Sequence, residues 1–98
     1  MRNYYNLVKM AKPLNKAKKV KFDKLQGVYL ASCRNHTGVE LLGRASGLLL
    51  TLSDGKTTLE DIVKALSSVL NISEQNIEEV VIKEVRNLQR KHLLHFEV

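Results

Sequence analysis

Apolar and polar residues alternate in the first half of this chain and recur at helical spacing in the second half. Between residues 20 and 25 they alternate with the period of two that a half-buried strand shows. Two further apolar segments, 28–32 and 39–42, follow across turn-forming polar residues and glycines. Because short turns join these consecutive segments, we expect the three strands to form an antiparallel meander.

Three helices are predicted after these strands. The first covers residues 44–52 and ends before an Asp54-Gly55 turn, where glycine can adopt a positive φ. The second follows Thr58, which can accept a hydrogen bond as a helix cap, and the third follows Ser73 in the same way. The sequence therefore predicts an α+β fold that is winged-helix-like, with a three-stranded antiparallel sheet followed by three helices.

The third predicted helix has a core stripe and a neighbouring face that is open to two interpretations. At about 3.6 residues per turn, Ile82 lies about a third of a turn from that stripe, beside Arg86 and Gln89. It is then either a single exposed isoleucine, which is common on protein surfaces, or the floor of an apolar groove with polar rims. The core stripe consists of Ile77, Val80, Val81, Val85 and Leu88.

The net charge of +6 is concentrated near the N-terminus. Residues 1–19 hold six of the sixteen basic residues and none of the ten acidic ones, so residues 20–98 are neutral overall. We therefore expect a flexible basic N-terminal arm over residues 1–19, followed by one folded domain over residues 20–98. The tyrosines and aliphatic residues at positions 4–10 of the arm could also dock as a short helix or strand. A neutral body argues against a nucleic-acid partner, because a nucleic-acid-binding domain usually carries a basic face. Winged-helix nucleic-acid binding is nevertheless the main alternative function, because winged helices often place one helix in the major groove.

The sequence offers little for catalysis. It shows no serine–histidine–acid set, no glycine loop for phosphates and no carboxylate pair with active-site spacing, so neither an enzyme nor a cofactor is expected. Four potential zinc ligands occur in two pairs, Cys33 with His36 and His92 with His95. Structural zinc sites usually contain more cysteine, so no metal site is expected.

Two features concern the compartment. Cys33 is the single cysteine, which excludes an intrachain disulfide and fits a reducing environment. The N-terminus lacks the continuous apolar segment of a signal peptide, and an apolar run such as 48–50 is far too short to cross a membrane. Together these features predict a cytoplasmic protein without a membrane partner.

A combination of motifs occurs within residues 42–62. A strand-ending leucine, a pair of small residues at 45–46, a leucine-rich helix and the sequence DGKTTLEDI follow one another there. This combination resembles the PqqD-like family, the leader-peptide-binding domain also called the RiPP recognition element, where RiPP denotes a ribosomally synthesised and post-translationally modified peptide. Residues 72–94 resemble the third helix of that family and its closing leucine pair, whereas the dipeptide at 43–44 departs from the usual Asn-Glu.

The resemblance implies a non-catalytic function. Members of the family grip the leader segment of a precursor peptide and deliver it to a modifying enzyme. The implied partners are therefore a precursor peptide and an enzyme such as a radical SAM enzyme or a cyclase. The leader would add as a further strand to the third predicted strand and pack against the third predicted helix. The peptide-binding residues that the resemblance implies are Val39, Glu40, Leu41, Leu42, Ile82, Val85, Arg86 and Gln89.

Overall fold

The computed structural model of the chain describes residues 2–34 and 37–97. Its helices are α1 (Arg2–Val8), α2 (Arg44–Leu52), α3 (Leu59–Leu70) and α4 (Glu74–Arg90). Its strands are β1 (Lys12–Asn15), β2 (Lys19–Asp23), β3 (Val28–Ser32), β4 (Val39–Leu42) and β5 (Leu94–Glu97). The predicted α+β class is confirmed, with a three-stranded antiparallel sheet followed by three helices; α1, β1 and β5 are additions to it. None of the described helices has both the length and the apolar content needed to cross a membrane.

Strands β2, β3 and β4 form the three-stranded sheet, in that spatial order and with antiparallel pairing. The register places Ala31 opposite Glu40 and Leu30 opposite Leu41, so these two pairs lie on opposite faces of the sheet. The face that contains Ala31 and Leu42 packs into the core, where both side chains are buried. The face that contains Leu41 is turned away from the helices, and Leu41 is exposed.

A close contact between Tyr29 of β3 and Gly47 of α2 joins the sheet to the helices. The Tyr29 side chain lies so near the glycine that a Cβ atom added there would overlap it. Gly47 thus has a packing reason to stand inside a helix, where glycine otherwise lowers stability by about 1 kcal/mol. The same tyrosine ring contacts Phe22 of β2, with 4.9 Å between the ring centroids.

Local hydrogen bonds begin α3 and α4 where the sequence predicts. The Thr58 hydroxyl accepts a hydrogen bond from the Asp61 N–H at the start of α3, and Ser73 caps α4 in the same way. In the turn before α3, the Asp54 carboxylate accepts hydrogen bonds from the backbone N–H groups of residues 56–57. These bonds lower the pKa of Asp54 and hold the turn between α2 and α3.

The N-terminal segment is not the flexible arm that the sequence predicts. Helix α1 packs against α4, and the guanidinium carbon of Arg86 lies 4.5 Å from the ring centroid of Tyr4. The neighbouring Tyr5 is buried, and burial, together with nearby glutamates, raises the pKa of its hydroxyl to about 12. The prediction of flexibility failed because the segment contributes Tyr5 and other apolar side chains to the core, although it is rich in lysine.

The residues after α1 tie the N-terminal segment to the rest of the fold. The carbonyl groups of Lys9 and Ala11 accept hydrogen bonds from the first two N–H groups of α3. Strand β1 then pairs with β5 in a second, two-stranded antiparallel sheet. The division of the chain into a basic arm over residues 1–19 and a domain over residues 20–98 stays a prediction.

Two expectations about α4 are wrong. Ile82, which was placed outside the core stripe, is 1% exposed, whereas Val80, which was placed within it, is 37% exposed. Arg86 lies one turn after Ile82 and contacts Tyr4. Helix α1 therefore packs on the side of α4 that the sequence left open, and this packing is the physical reason for the burial of Ile82.

Candidate functional site

The three-stranded sheet has two edges, and its β4 edge is open. No strand among residues 2–34 and 37–97 pairs with β4 on the side away from β3. Val39 and Leu41 of this strand are 56% and 62% exposed. An edge strand presents unpaired N–H and C=O groups that an extended chain can satisfy. Strand β4 is therefore a candidate site for strand addition.

The opposite edge, β2, is protected by lysine. Lys19 and Lys21 are both exposed on this strand, Lys18 precedes it and Lys24 follows it. Lysine on an edge strand opposes pairing with another chain, because an added strand would confine and partly desolvate the ammonium groups. This difference in side chains leaves β4 as the edge that is available to a peptide.

Two contacts, one to β4 and one to α2, show which side of α4 faces these elements. The Lys91 ammonium is 3.1 Å from a carboxylate oxygen of Glu40, and Ser46 of α2 donates a hydrogen bond to Glu84. Glu84 and Lys91 are seven residues apart, about two helical turns, so they lie on the same side of α4. We call the accessible residues along this side the groove strip. The groove strip consists of Val80, Lys83, Asn87 and Lys91.

The four predicted residues of β4 differ in what they offer. Val39 and Leu41 present exposed side chains on the open face of the sheet. Glu40 is partly buried and pairs with Lys91, whereas Leu42 is buried in the core. All four lie on the open edge strand, but only Val39 and Leu41 offer exposed apolar side chains.

The four predicted residues of α4 do not border β4. Ile82 and Val85 are buried in the core. Arg86 and Gln89 lie roughly 150° around α4 from the contacts to β4 and α2, at about 100° per residue. Arg86 stacks on Tyr4 of α1 on that far side. The structure therefore does not bring these helix residues together with β4 in one surface.

The groove strip is the part of the site that sequence reasoning missed. One signal for it was present, because Glu84 lies among residues that were predicted to be buried. Its hydrogen bond with Ser46 explains that polar residue and marks the side of α4 that meets α2. The helix residues predicted from the sequence lie instead on the side of α4 against which α1 packs.

Cys33 is not brought together with His92 and His95. His92 and His95 line a cavity of about 450 Å3 at the end of α4, whereas Cys33 lines a different cavity beside β2. His36 lies outside the described residues. In the part of the chain that the structure describes, no group of three or more histidine, cysteine, aspartate or glutamate residues is placed to hold a metal ion.

Comparison with known proteins bears on the fold. The sequence matches no protein-family model and no curated protein. Among solved structures, the fold is similar to that of the PqqD truncation of Methylobacterium extorquens PqqCD, with a TM-score of 0.68 and 19% sequence identity. The similarity covers 85% of this chain and 87% of that one, which was solved in solution by NMR. That protein represents a functional and stand-alone RiPP recognition element. At this level of identity the comparison establishes a shared fold.

Proposed function

We propose that this chain is a non-catalytic binder of the leader segment of a ribosomally synthesised precursor peptide. The leader adds as a strand to the open edge of β4, packs against the groove strip and is delivered to a peptide-modifying enzyme, such as a radical SAM enzyme or a cyclase. The observation that carries the proposal is the contrast between a lysine-protected β2 edge and an aliphatic, unpaired β4 edge. The similarity in fold to a recognition element supports the same conclusion.

Hydrogen bonds to β4 are too few to account for useful affinity by themselves. A strand of four residues offers a handful of outward main-chain bonds, each contributing about 1 kcal/mol net. Micromolar binding requires about 8 kcal/mol. Burial of about 200 Å2 of apolar surface would add about 5 kcal/mol. The leader must therefore carry at least two apolar side chains that pack against this site.

The geometry of an added strand assigns those side chains to two places. Successive side chains of a strand point to opposite faces of the sheet. One set would therefore point toward α4, where Val80 offers an exposed apolar contact in the groove strip. The other set would extend the open face beside Leu41 and Val39. We propose these residues as the side-chain contacts, while Ile82 and Val85 serve by fixing α4 from the core.

Selection from a random library of peptides about 15 residues long tests this function even when the sequence of the precursor is unknown. Hydrogen–deuterium exchange would then be measured on the full chain with and without a selected peptide. We expect new protection in residues 39–42 and along the groove strip, and none in β2. Protection confined to β2, or no change in β4, would contradict the proposal.

A pair of matched variants adds a test of the contact. Leu41→Lys places a cation on the open edge, whereas Leu25→Lys makes the same change in the exposed turn between β2 and β3. We expect Leu41→Lys to lower the affinity for the selected peptide about tenfold or more, and Leu25→Lys to leave this affinity unchanged. Equal affinities for the two variants would remove Leu41 from the site.

Nucleic-acid binding is a second candidate because one observation favours it. Residues 16–24 contain five lysines and one acid, and the lysines are exposed. Titration with a random DNA duplex at physiological salt separates the two functions. Tight binding with a steep salt dependence would favour the nucleic-acid function, whereas peptide binding without it supports the proposal.

A further inference from the structure

A cavity of about 450 Å3 lies where the C-terminal end of α4 meets β5 and the linker between β1 and β2. Its position is fixed by main-chain hydrogen bonds. The Lys16 N–H donates to the Leu93 carbonyl over 2.8 Å, and the His92 N–H donates to the Gln89 carbonyl over 3.0 Å. The side chains that line it belong to Lys16, Gln89, His92, Leu94 and His95.

The lining of this cavity is suited to an anion. It combines an ammonium group, a side-chain amide and two imidazoles, all of which can donate hydrogen bonds. None of the lining residues is an acid. Hydrogen bonds from charged donors to carboxylates are shorter and stronger than bonds between neutral groups. A carboxylate therefore matches the cavity better than a neutral or cationic ligand.

The turn that ends α4 links the cavity to β4. Lys91 contacts Glu40 through a 3.1 Å ion pair, and the next residue, His92, lines the cavity. Val39 is the first residue of β4, so a peptide that continues past it leaves the sheet beside the end of α4. Because Gln89 faces away from β4, the flanking residues of a strand added along β4 would reach the cavity by passing around the C-terminal end of α4.

We infer that the cavity binds carboxylate side chains of a bound peptide, in the flanking segment beyond the residues that pair with Val39. This inference rests on the proposed function and adds the chemical class of the flanking segment, which is acidic. Two separate contacts then act on one peptide. The β4 edge binds its extended apolar part, and the cavity binds its acidic part.

The cavity is tested first with defined probes and the full chain. Acetyl-triglutamate amide and acetyl-triglutamine amide are titrated separately at about pH 6. We expect the glutamate probe to shift the NMR resonances of Gln89, His92 and His95 and the glutamine probe to leave them unchanged. Equal shifts with both probes, or shifts centred on the cavity beside Lys18 and Cys33, would overturn the inference.

Variants sharpen this test. His92 has a φ of 60°, which asparagine tolerates well, so His92→Asn removes the imidazole without opposing the local backbone. We expect His92→Asn and Lys16→Gln each to weaken the glutamate probe at least threefold, by about the strength of one charge contact. Lys64→Gln is the control, because it removes an exposed lysine of α3 outside the cavity lining. An equal loss of affinity in Lys64→Gln would show that the effect comes from the overall charge, and it would overturn the proposed site.

The peptide selection distinguishes failure of this inference from failure of the proposed function. Selected peptides should carry acidic residues next to the segment that protects β4, and His92→Asn should weaken them. Peptides that protect β4 without an acidic preference would overturn the inference and leave the function standing. A glutamate probe that binds the cavity while no peptide protects β4 would overturn the function and leave a free carboxylate site.

Discussion

The two edges of the three-stranded sheet share one central strand but differ in their side chains. Strand β2 has the sequence KVKFD, with exposed lysines at positions 19 and 21, and β4 has the sequence VELL. Both edges offer similar main-chain groups. The side chains therefore decide which edge accepts another chain, and the one glutamate of β4 is already paired with Lys91.

This difference matters because a free strand edge is a general risk. An unprotected edge invites pairing with any extended chain, including another copy of the same protein. Lysine on β2 reduces that risk on one side of the sheet. On the other side, the proposed groove strip of α4 would limit which chains fit against β4. We therefore expect substitutions at exposed residues near β4 to change peptide binding. Substitutions at buried residues beneath the sheet should change stability instead.

The largest expected effect separates the two sides of α4. Ile82→Asp buries a carboxylate in the core, so we expect the free energy of unfolding to fall by more than about 4 kcal/mol. Val80→Asp introduces the same group at an exposed position of the groove strip, and its cost should stay within about 1 kcal/mol. Urea unfolding measures both changes.

Peptide binding completes that comparison. We expect Val80→Asp to weaken a selected peptide about tenfold, because a carboxylate replaces an apolar contact. If Val80→Asp binds with unchanged affinity, the peptide does not use the groove strip. If Ile82→Asp remains folded and loses peptide binding, the groove lies on the far side of α4, as the sequence suggested.

The second effect concerns the packing of the central strand, β3, against α2. Gly47→Ala places a methyl group against the Tyr29 side chain, so we expect a loss of about 3 kcal/mol in unfolding free energy. Gly43→Ala is the matched control, since nothing lies within 4 Å of its Cβ position, and it should cost at most about 1 kcal/mol. Thermal unfolding of the two variants tests the contact, and similar midpoints would show that the ring moves aside without cost.

The sheet and the three main helices were predictable because their signals are local. The segments 28–32, 39–42 and 44–52 coincide with β3, β4 and α2, since strand alternation, glycine turns and helical spacing act over a few residues. Caps at Thr58 and Ser73 are local as well. Each of these features depends on side chains that are close in sequence.

The helix part of the site was not predictable because it depends on distant contacts. The pairing of β1 with β5 joins residues at opposite ends of the chain, and the packing of Tyr4 on Arg86 decides which face of α4 is covered. The apolar residues at positions 4–10 allowed a docked helix or strand, but nothing local indicated which part of the fold it would contact. The predicted groove at Ile82 lies on the face of α4 that is buried in the structure, whereas Val80 lies on an exposed face.

A smaller effect is expected from Tyr5, which lies in α1 and not at the sheet edges. The pKa of its hydroxyl is about 12 in the folded chain, above the ordinary value of 10.0. The unfolded chain therefore loses this proton at lower pH, so stability is unaffected below about pH 10 and falls as the pH rises toward 12. The loss should reach about 2 kcal/mol near pH 12.

The control for this alkaline loss is Tyr5→Phe, which cannot ionise. Urea unfolding between about pH 9 and pH 12 should show a steeper decline for the unchanged chain than for Tyr5→Phe. Lysine titration affects both proteins and cancels in the difference. Parallel curves would mean that α1 does not hold Tyr5 in a buried position, and the covered face of α4 would then need to be reassigned.

The smallest expected change in stability tests the protected edge itself. Replacing Lys19 and Lys21 with threonine removes the positive charges from β2 and introduces a residue type that favours strands, so stability should change by less than about 0.5 kcal/mol. The control replaces Lys56 and Lys64, two exposed lysines outside the sheet, in the same way. Both variants lose the same charge.

The two double variants should differ in association. With β2 unprotected, both edges of the sheet can accept strands, so sedimentation velocity should show self-association of the β2 variant and not of the control. Exchange measurements with a selected peptide should then show protection in β2 as well as β4. If the β2 variant stays monomeric and the peptide protects β4 alone, the lysines are not the reason that the two edges differ in binding. In that case the groove strip would have to account for the preference of the peptide for β4.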